Sequence, residues 1–550
     1  MLGLNAEKEK YTYFWGNRKG IIDERFPELN LASPIGQDLD AKHTHRASAG
    51  YFGRINYDYK DIYLLELNGR YDGSSRFPRH SHWAFFPSVS LGYRFSEEPY
   101  FKQLRHVVSN GKLRASFGEI GNEAVGDYMF ESLITQVDRD DVHWVDGNQE
   151  NANKLPMFNT PNLVEPILTW ERIRTTDVGL DLGFLNNELS VGFDWYQREN
   201  TDMLAPSQVL PQVLGTDAPM ANAGTLRTRG WELTLDWHHR FGEFNVYANF
   251  NLADSKTVVT KWESKAKLLN QNYSGKTYGD IWGFETDRYF EESDFTGQNA
   301  DGTWNYANGI ASQKGLEQGS FHYGPGDVKF KDLDGNGVID GGEGTADKHG
   351  DLKVIGNFLP RYEYSFHLGG AWRGFDLDLF FQGVGKRHVW TVSSMNFPLM
   401  READLAIYDH QLSYNRVIYK NGLKDVERYE VNQANKYPRL FPGNDPQGNI
   451  SVIDAGTNNY YPQSRYLTDM SYLRLKNVTL GYTLPKELTR KAYIQKARIY
   501  LSASNLFLLY KGNDLPVDPE INAGAGLKYG GWGRTAPITR TLSFGMQVTL

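Results

Sequence analysis

The chain has 550 residues, with 59 basic and 67 acidic side chains, a formal net charge of −8 and a pI near 6.0, so no global basic field points to nucleic acid. It has no cysteine, which excludes a disulfide framework and thiolate metal sites, and no run of about 18 apolar residues, which excludes a transmembrane helix. Aromatic residues make up 14% and glycines number 55, the composition of an all-β chain with pleated aromatic surfaces and tight turns.

The first stretch, "MLGLNAEKEKYTYFWGNRKG", lacks the apolar core of a secretory signal, and residues 1–44 read as a loop segment. Strict alternation then begins. In "YFGRINYDYK" one face carries Tyr51, Gly53, Ile55, Tyr57 and Tyr59, the other Arg54, Asn56, Asp58 and Lys60. "DIYLLELNGRYDGSSRF" sets Tyr63, Leu65, Leu67, Gly69 and Tyr71 against Glu66, Asn68, Arg70 and Asp72. "VGLDLGF", "ELSVGFDWYQR" and "GWELTLDW" continue the pattern. It recurs in "EFNVYANFNL", "RYEYSFHLGG", "GFDLDLFFQG", "ARIYLSASNLF" and "RTLSFGMQVTL". The predicted strands are 45–59, 61–72, 84–95, 111–121, 171–184, 188–200, 226–239, 243–255, 361–372, 375–388, 467–484, 496–508 and 538–550, about thirteen in all.

A soluble sandwich would also alternate, and the mean hydropathy of −0.56 fits one. A membrane barrel with a wet interior gives the same average, because only alternate strand residues face lipid. Connection lengths separate the two readings. Tight turns at "YDYKDIY", "FLNNEL", "RFGEFN" and "WRGFDL" alternate with long connections near 122–167, 204–225, 257–359, 387–465 and 509–536. Short turns at one rim and long loops at the other are the plan of an outer-membrane barrel, and a sandwich has no reason to segregate them. Bacterial barrels close with an even number of strands, so the count predicts a portion of a barrel.

"YFGRINYDYKDIYLLELNGRYDGSSRF", "WAFFPSVSLGYRFSEEPYF", "GDVKFKDLDGNGVID", "VIGNFLPRYEYSFHLGGAWRGFDLDLFFQGVG", "SYLRLKNVTLGYTLP" and "IYLSASNLFLL" together resemble the SusC/RagA family of TonB-dependent outer-membrane transporters, over roughly residues 45–550. The resemblance implies an all-β fold, the C-terminal part of a transmembrane antiparallel barrel of about 22 strands with a plugged lumen. It places the chain in the outer membrane of a Gram-negative bacterium, with long loops facing the exterior. The family's plug, its TonB-contacting segment and its early strands have no counterpart in the sequence, so the TonB complex is expected to act through that further part. Further implied partners are a SusD-like surface lipoprotein and outer-membrane lipid, with no nucleic acid. The implied activity is uptake of oligosaccharides, with oligopeptide import of the RagA type as the alternative. A soluble secreted carbohydrate-binding β-protein is a third reading, separable by detergent dependence.

One stretch carries recognisable ligand chemistry. "KFKDLDGNGVIDGGEG", residues 329–344, places Asp332, Asp334, Asn336, the Val338 carbonyl, Asp340 and Glu343 at calcium-loop spacing around the Gly337 turn. In the family the loop runs directly into an aspartate before "VIG", and the resemblance puts Asp351 in that place, so either Glu343 or Asp351 is expected to close it. The implied ion is a structural Ca²⁺ ordering the 257–359 connection; the alternative is a solvated acidic turn. The histidine pairs His43/His45, His80/His82 and His238/His239 show no convergent ligands in spacing. "FGEIGN" and "GPGD" read as turns, and no carboxylate pair stands out as a catalytic acid and base, so no enzyme is predicted. Trp144, Trp282, Trp304, Trp390 and Trp532 are expected to pack loops or stack on sugar rings.

Overall fold

The computed structural model describes the chain except residues 22, 34–36, 135–136, 138–144, 147–152, 155–156, 166, 207–212, 214–217, 320, 392–395, 399–406, 422–425, 441–457 and 521–537. Its frame is one 14-stranded sheet in which every strand pairs antiparallel with its neighbour along the chain. We number these strands β1 (Leu2–Asn17), β2 (Asp38–Tyr59), β3 (Tyr63–Ser74), β4 (Trp83–Tyr93), β5 (Val108–Asn122), β6 (Glu171–Phe184) and β7 (Leu189–Pro206). The second half comprises β8 (Met220–Phe241), β9 (Phe244–Lys261), β10 (Arg361–Trp372), β11 (Phe375–Lys386), β12 (Tyr472–Thr483), β13 (Lys496–Lys511) and β14 (Thr541–Thr549). This is the expected all-β barrel architecture, and the expected alternation of faces holds in the register. Leu65 lies opposite Tyr57 and Leu91, while Glu66 lies opposite Asn56 and Ser90.

Residues 1–44 are corrected: they hold β1 and the start of β2, so the wall has 14 strands where about thirteen were expected. The run Glu7–Lys10 interrupts the apolar alternation that sequence reading depends on. Backbone pairing from Leu2↔Gly53 to Asn17↔Asp38 holds the strand regardless.

Connections fall on two rims. One has tight hairpins, such as Arg373–Gly374, where both residues sit at positive φ (47° and 90°). That mirror-image turn matches the right-handed twist of the flanking strands. The other rim carries the long connections, and the described residues within 262–360 and 387–471 form a folded layer of their own. The largest buried core lies in this layer. Phe284, Tyr289, Phe330, Ile339, Phe397, Tyr437, Tyr460 and Tyr466 pack together, with Phe290, Phe295, Phe321 and Tyr323 in a second cluster. Outward wall residues such as Ile55, Leu91, Leu501 and Phe544 stay exposed, as a lipid-facing row requires.

Candidate functional site

Period-2 geometry sends every second wall residue inward, and the inward set forms a continuous polar lattice. Arg114 on β5 donates two hydrogen bonds to Asp181 (2.8 and 2.9 Å) and reaches Asp194 at 2.9 Å, spanning three strands. On the opposite face, in phase with Phe117 and Val178, Glu119, almost fully buried, pairs with Arg172 and, at 3.1 Å, with Arg174. The inward lattice continues through Thr234–Asn251 (3.0 Å) and Asn249–Asp236 (2.5 Å), whereas Arg227–Glu199 (2.6 Å) and Arg229–Gln197 (2.7 Å) lie on the outward face, in phase with Trp195 and Trp231. On β9 to β11, Tyr247 and His367 both meet the Asp378 carboxylate, the imidazole at 2.6 Å. Near the hairpin rim this face opens a cavity of about 520 Å³ lined by Asp58, Glu66, Ser90, Lys112, Arg114 and Asp177 among others. Polar groups distributed along a face in this way suit a hydrated wall.

The loop layer over the opposite rim is fastened by buried polar groups. Asp327 is fully buried. It accepts hydrogen bonds from Arg439 at 2.7 and 2.8 Å, from the Asn459 amide at 2.8 Å and from the Gly324 N–H at 2.8 Å. Arg439 also donates to the His322 carbonyl at 2.8 Å. Two connections far apart in sequence are thereby joined through one ion pair. The aspartate that ends the turn sequence "GPGD" is this anchor. Gln313 and Gln463, both fully buried, do similar work: Gln313 donates to the Val328 carbonyl at 3.1 Å and Gln463 to the Asn459 carbonyl at 2.7 Å.

The acidic stretch lies in this layer. Its base is clamped by Glu285, which Lys331 reaches at 2.5 Å and Lys353 also contacts. Those two lysines hold the Glu285 carboxyl down at about 2. The carboxylates of Asp332, Asp334 and Asp351 lie within 4.8 Å of one another. Asp332 accepts from the Gly335 and Gly337 N–H groups at 2.7 and 2.9 Å, Asp334 from that of Asn336 at 3.0 Å, and the Asn336 amide oxygen from that of Val338 at 2.7 Å. Gly337 takes a positive φ of 82°, which tightens the turn. Asp351, fully buried, accepts from the Leu333 and Asp340 N–H groups at 2.6 and 3.0 Å. The Asp340 carboxylate instead turns to the Gly342 N–H at 2.6 Å, and Glu343 pairs with Lys348 in solvent at 2.5 Å. Of the two expected closing residues, Asp351 joins the cluster and Glu343 does not.

The remaining residues singled out in the sequence are mostly absorbed by packing. Trp282 lies 5.3 Å from His349, Trp304 packs on Phe295 and Tyr429 at 5.0 and 5.8 Å, and Trp390 packs on Phe397 at 5.5 Å. Trp144 and Trp532 fall outside the described residues. His45 bonds the Tyr128 hydroxyl at 2.9 Å and His239 meets Glu188 at 2.7 Å.

The model of the family described as TonB dependent receptor-like, beta-barrel matches residues 3–347. The chain is 27% identical over 537 residues to TonB-dependent receptor P26 of Formosa agariphila, covering 95% of this chain and 48% of that protein. It is 26% identical over 505 residues to TonB-dependent receptor SusC of Bacteroides thetaiotaomicron, covering 89% and 43%. Among solved structures it superposes on the RagAB peptide transporter with a TM-score of 0.68 at 21% identity, covering 100% of this chain and 53% of that one. The chain thus spans about half the length of the curated relatives it matches.

Proposed function

The chain belongs to the TonB dependent receptor-like β-barrel family of the outer membrane, and on that premise we propose that it forms wall and outer loops of an importer energised through a TonB complex. The proposed cargo is oligosaccharide, and the proposed partner is a SusD-like surface lipoprotein seated on the loop layer. One observation carries the reading: the same strands present an exposed apolar row outward and a hydrogen-bonded polar lattice inward, beneath loops with a core of their own. That combination suits passage of a hydrated solute through lipid, and a soluble binding protein has no use for the outward row. The relatives' names are those of receptors, which supports a transporter and not an enzyme. Peptide import is the competing cargo, since the RagAB structure is of a peptide transporter. The test compares uptake of labelled neutral oligosaccharides and labelled oligopeptides by cells with and without the protein, before and after collapse of the proton-motive force. Energy-dependent saccharide uptake lost with the protein supports the reading. Loss of peptide uptake alone reassigns the cargo, and no change in either refutes import.

We propose further that the acidic stretch holds a structural calcium ion. Its donors are hard oxygens only, and three carboxylates within 4.8 Å repel by about 3 kcal/mol per pair at an effective dielectric near 20, a cost that a cation removes. Asp332, Asp334 and Asp351 would hold it, with Asn336 and the Val338 carbonyl as the neutral donors; Asp340 and Glu343 need rearrangement to take part. Calorimetry of the whole protein with Ca²⁺, repeated on Asp332→Ala with Asp334→Ala, tests this. Heat of binding lost in the variant supports the site, and no binding by the parent leaves an acidic turn.

A further inference from the structure

The outward row of β8 runs Phe241, His239, Trp237, Leu235, Leu233 and Trp231, then turns basic at Arg229. Ten positions separate Phe241 from Trp231, about 33 Å along the strand at roughly 3.3 Å per residue, or about 25 Å of height at a tilt near 40°. That is the height of the apolar band of an outer-membrane barrel, so Trp231 stands at the loop-side edge of the band. Trp195 of β7 lies opposite Trp231 at the same level. Arg229 is the next outward residue, at headgroup depth. We propose that Arg229 and Lys256 form a site for the phosphate of a phosphorylated glycolipid of the outer leaflet. The site lies on the lipid side of the wall and takes no part in the proposed passage.

The register sets the two cations side by side. Arg229 lies directly opposite Lys256 on β9, and both residues are exposed. The adjacent rows fix their face. The Thr228 hydroxyl bonds that of Thr257 at 2.8 Å on the inward side, and Trp231 lies opposite Asp254 on the outward side. Like charges directly opposite each other destabilise a strand pair, and an anion between them removes that repulsion. The described residues supply no such anion: neither Arg229 nor Lys256 forms an ion pair among them. Glu199 is taken by Arg227 at 2.6 Å, and Asp254, two residues from Lys256 on the same face, by Arg361 at 2.6 Å. Arg229 uses only its Nε, which donates to the Gln197 amide oxygen at 2.7 Å. The two terminal nitrogens of its guanidinium stay available as a fork for phosphate oxygens, with the Lys256 ammonium as a point charge beside them.

Position and charge together choose the occupant. A phosphorylated glycolipid carries its phosphate at the depth of Arg229 and its acyl chains at the depth of Leu233, Leu235 and Leu252. One molecule therefore covers both the basic pair and the apolar row beneath it. A soluble anion would match the charge and leave the row uncovered, and a neutral lipid would do the reverse.

The experiment uses the whole protein in a neutral detergent and counts bound lipid by native mass spectrometry. The probes are lipid A carrying its phosphates, the same lipid A after dephosphorylation, and inorganic phosphate as a competitor. Wild type should bind the phosphorylated lipid about tenfold tighter than the dephosphorylated one, and Arg229→Gln with Lys256→Gln should lose that preference. Wild type should also gain Tm with the phosphorylated lipid, and the double variant should not. Inorganic phosphate should leave lipid binding unchanged. Equal binding of the two lipids by wild type overturns the site without recourse to any variant. So does an unchanged preference in the double variant, or displacement of the lipid by inorganic phosphate, which makes the pair a free-anion site. Self-association of the protein through this face, with no preference for the phosphorylated lipid, overturns it in favour of a protein contact.

Discussion

Leu67 sits where lipid should be deepest. The aromatic stack Tyr63–Tyr93 (5.3 Å) marks the hairpin rim of β3 and the stack Tyr71–Trp83 (5.1 Å) marks the loop rim. Eight residues separate Tyr63 from Tyr71, about 26 Å along the strand at roughly 3.3 Å per residue, or about 20 Å of height at a tilt near 40°. Leu67 is midway, opposite Ile55 and Val89, with its side chain outward. Leu67→Arg therefore places a guanidinium near the midplane and should destabilise the folded barrel by about 2–4 kcal/mol. Ser90→Arg is the control: it lies on the inward face opposite Glu66, where the new cation meets a carboxylate, and should cost less than about 1 kcal/mol. Urea unfolding of the whole protein in lipid vesicles, followed by tryptophan fluorescence and heat-modifiable gel migration, reads both. Equal losses at the two positions, or a larger loss at Ser90, would refute the assignment of faces.

Arg439→Met strands the Asp327 carboxylate in the loop layer, a loss of about 3 kcal/mol or more. Limited proteolysis should then cut between residues 262 and 471 while the wall stays intact, and an unchanged digest would contradict the anchor. Glu285 has its carboxyl lowered to about 2 by Lys331 and Lys353, so its contribution is full above about 4.5 and disappears as pH falls through about 2. Hydrogen exchange at 331–353 should accelerate across that window, and no such change in Glu285→Gln is expected. Deleting 541–550 removes β14, whose Leu542, Phe544, Met546 and Val548 continue the outward row beside β13. Assembly into the outer membrane should be lost, and normal assembly would refute the role of that strand.

The wall was legible because its two faces are written in adjacent residues. Leu65 and Glu66 declare the lipid side and the water side without knowledge of any partner strand. β1 escaped because Glu7, Lys8, Glu9 and Lys10 erase the alternation, and pairing with β2 supplies what the side chains do not signal. The acidic stretch was legible as spacing, but its closure was not. Glu343 fits the motif, yet Lys348, five residues on, takes it, and buried Asp351 arrives after an insertion whose path no spacing rule describes. The loop layer was the least legible part. Asp327 meets Arg439 across 112 residues and Asn459 across 132, separations at which local pattern carries no information.

The most direct test of the central claim, that this chain lines a water-filled passage through the outer membrane, uses its freedom from cysteine. Single cysteines are placed in turn from Ser190 to Trp195 on β7 and exposed, in intact outer membranes, to a water-soluble maleimide. Labelling should alternate: Ser190, Gly192 and Asp194 on the inward face react, while Val191, Phe193 and Trp195 do not. Uniform labelling, uniform protection or the opposite phase would contradict the account.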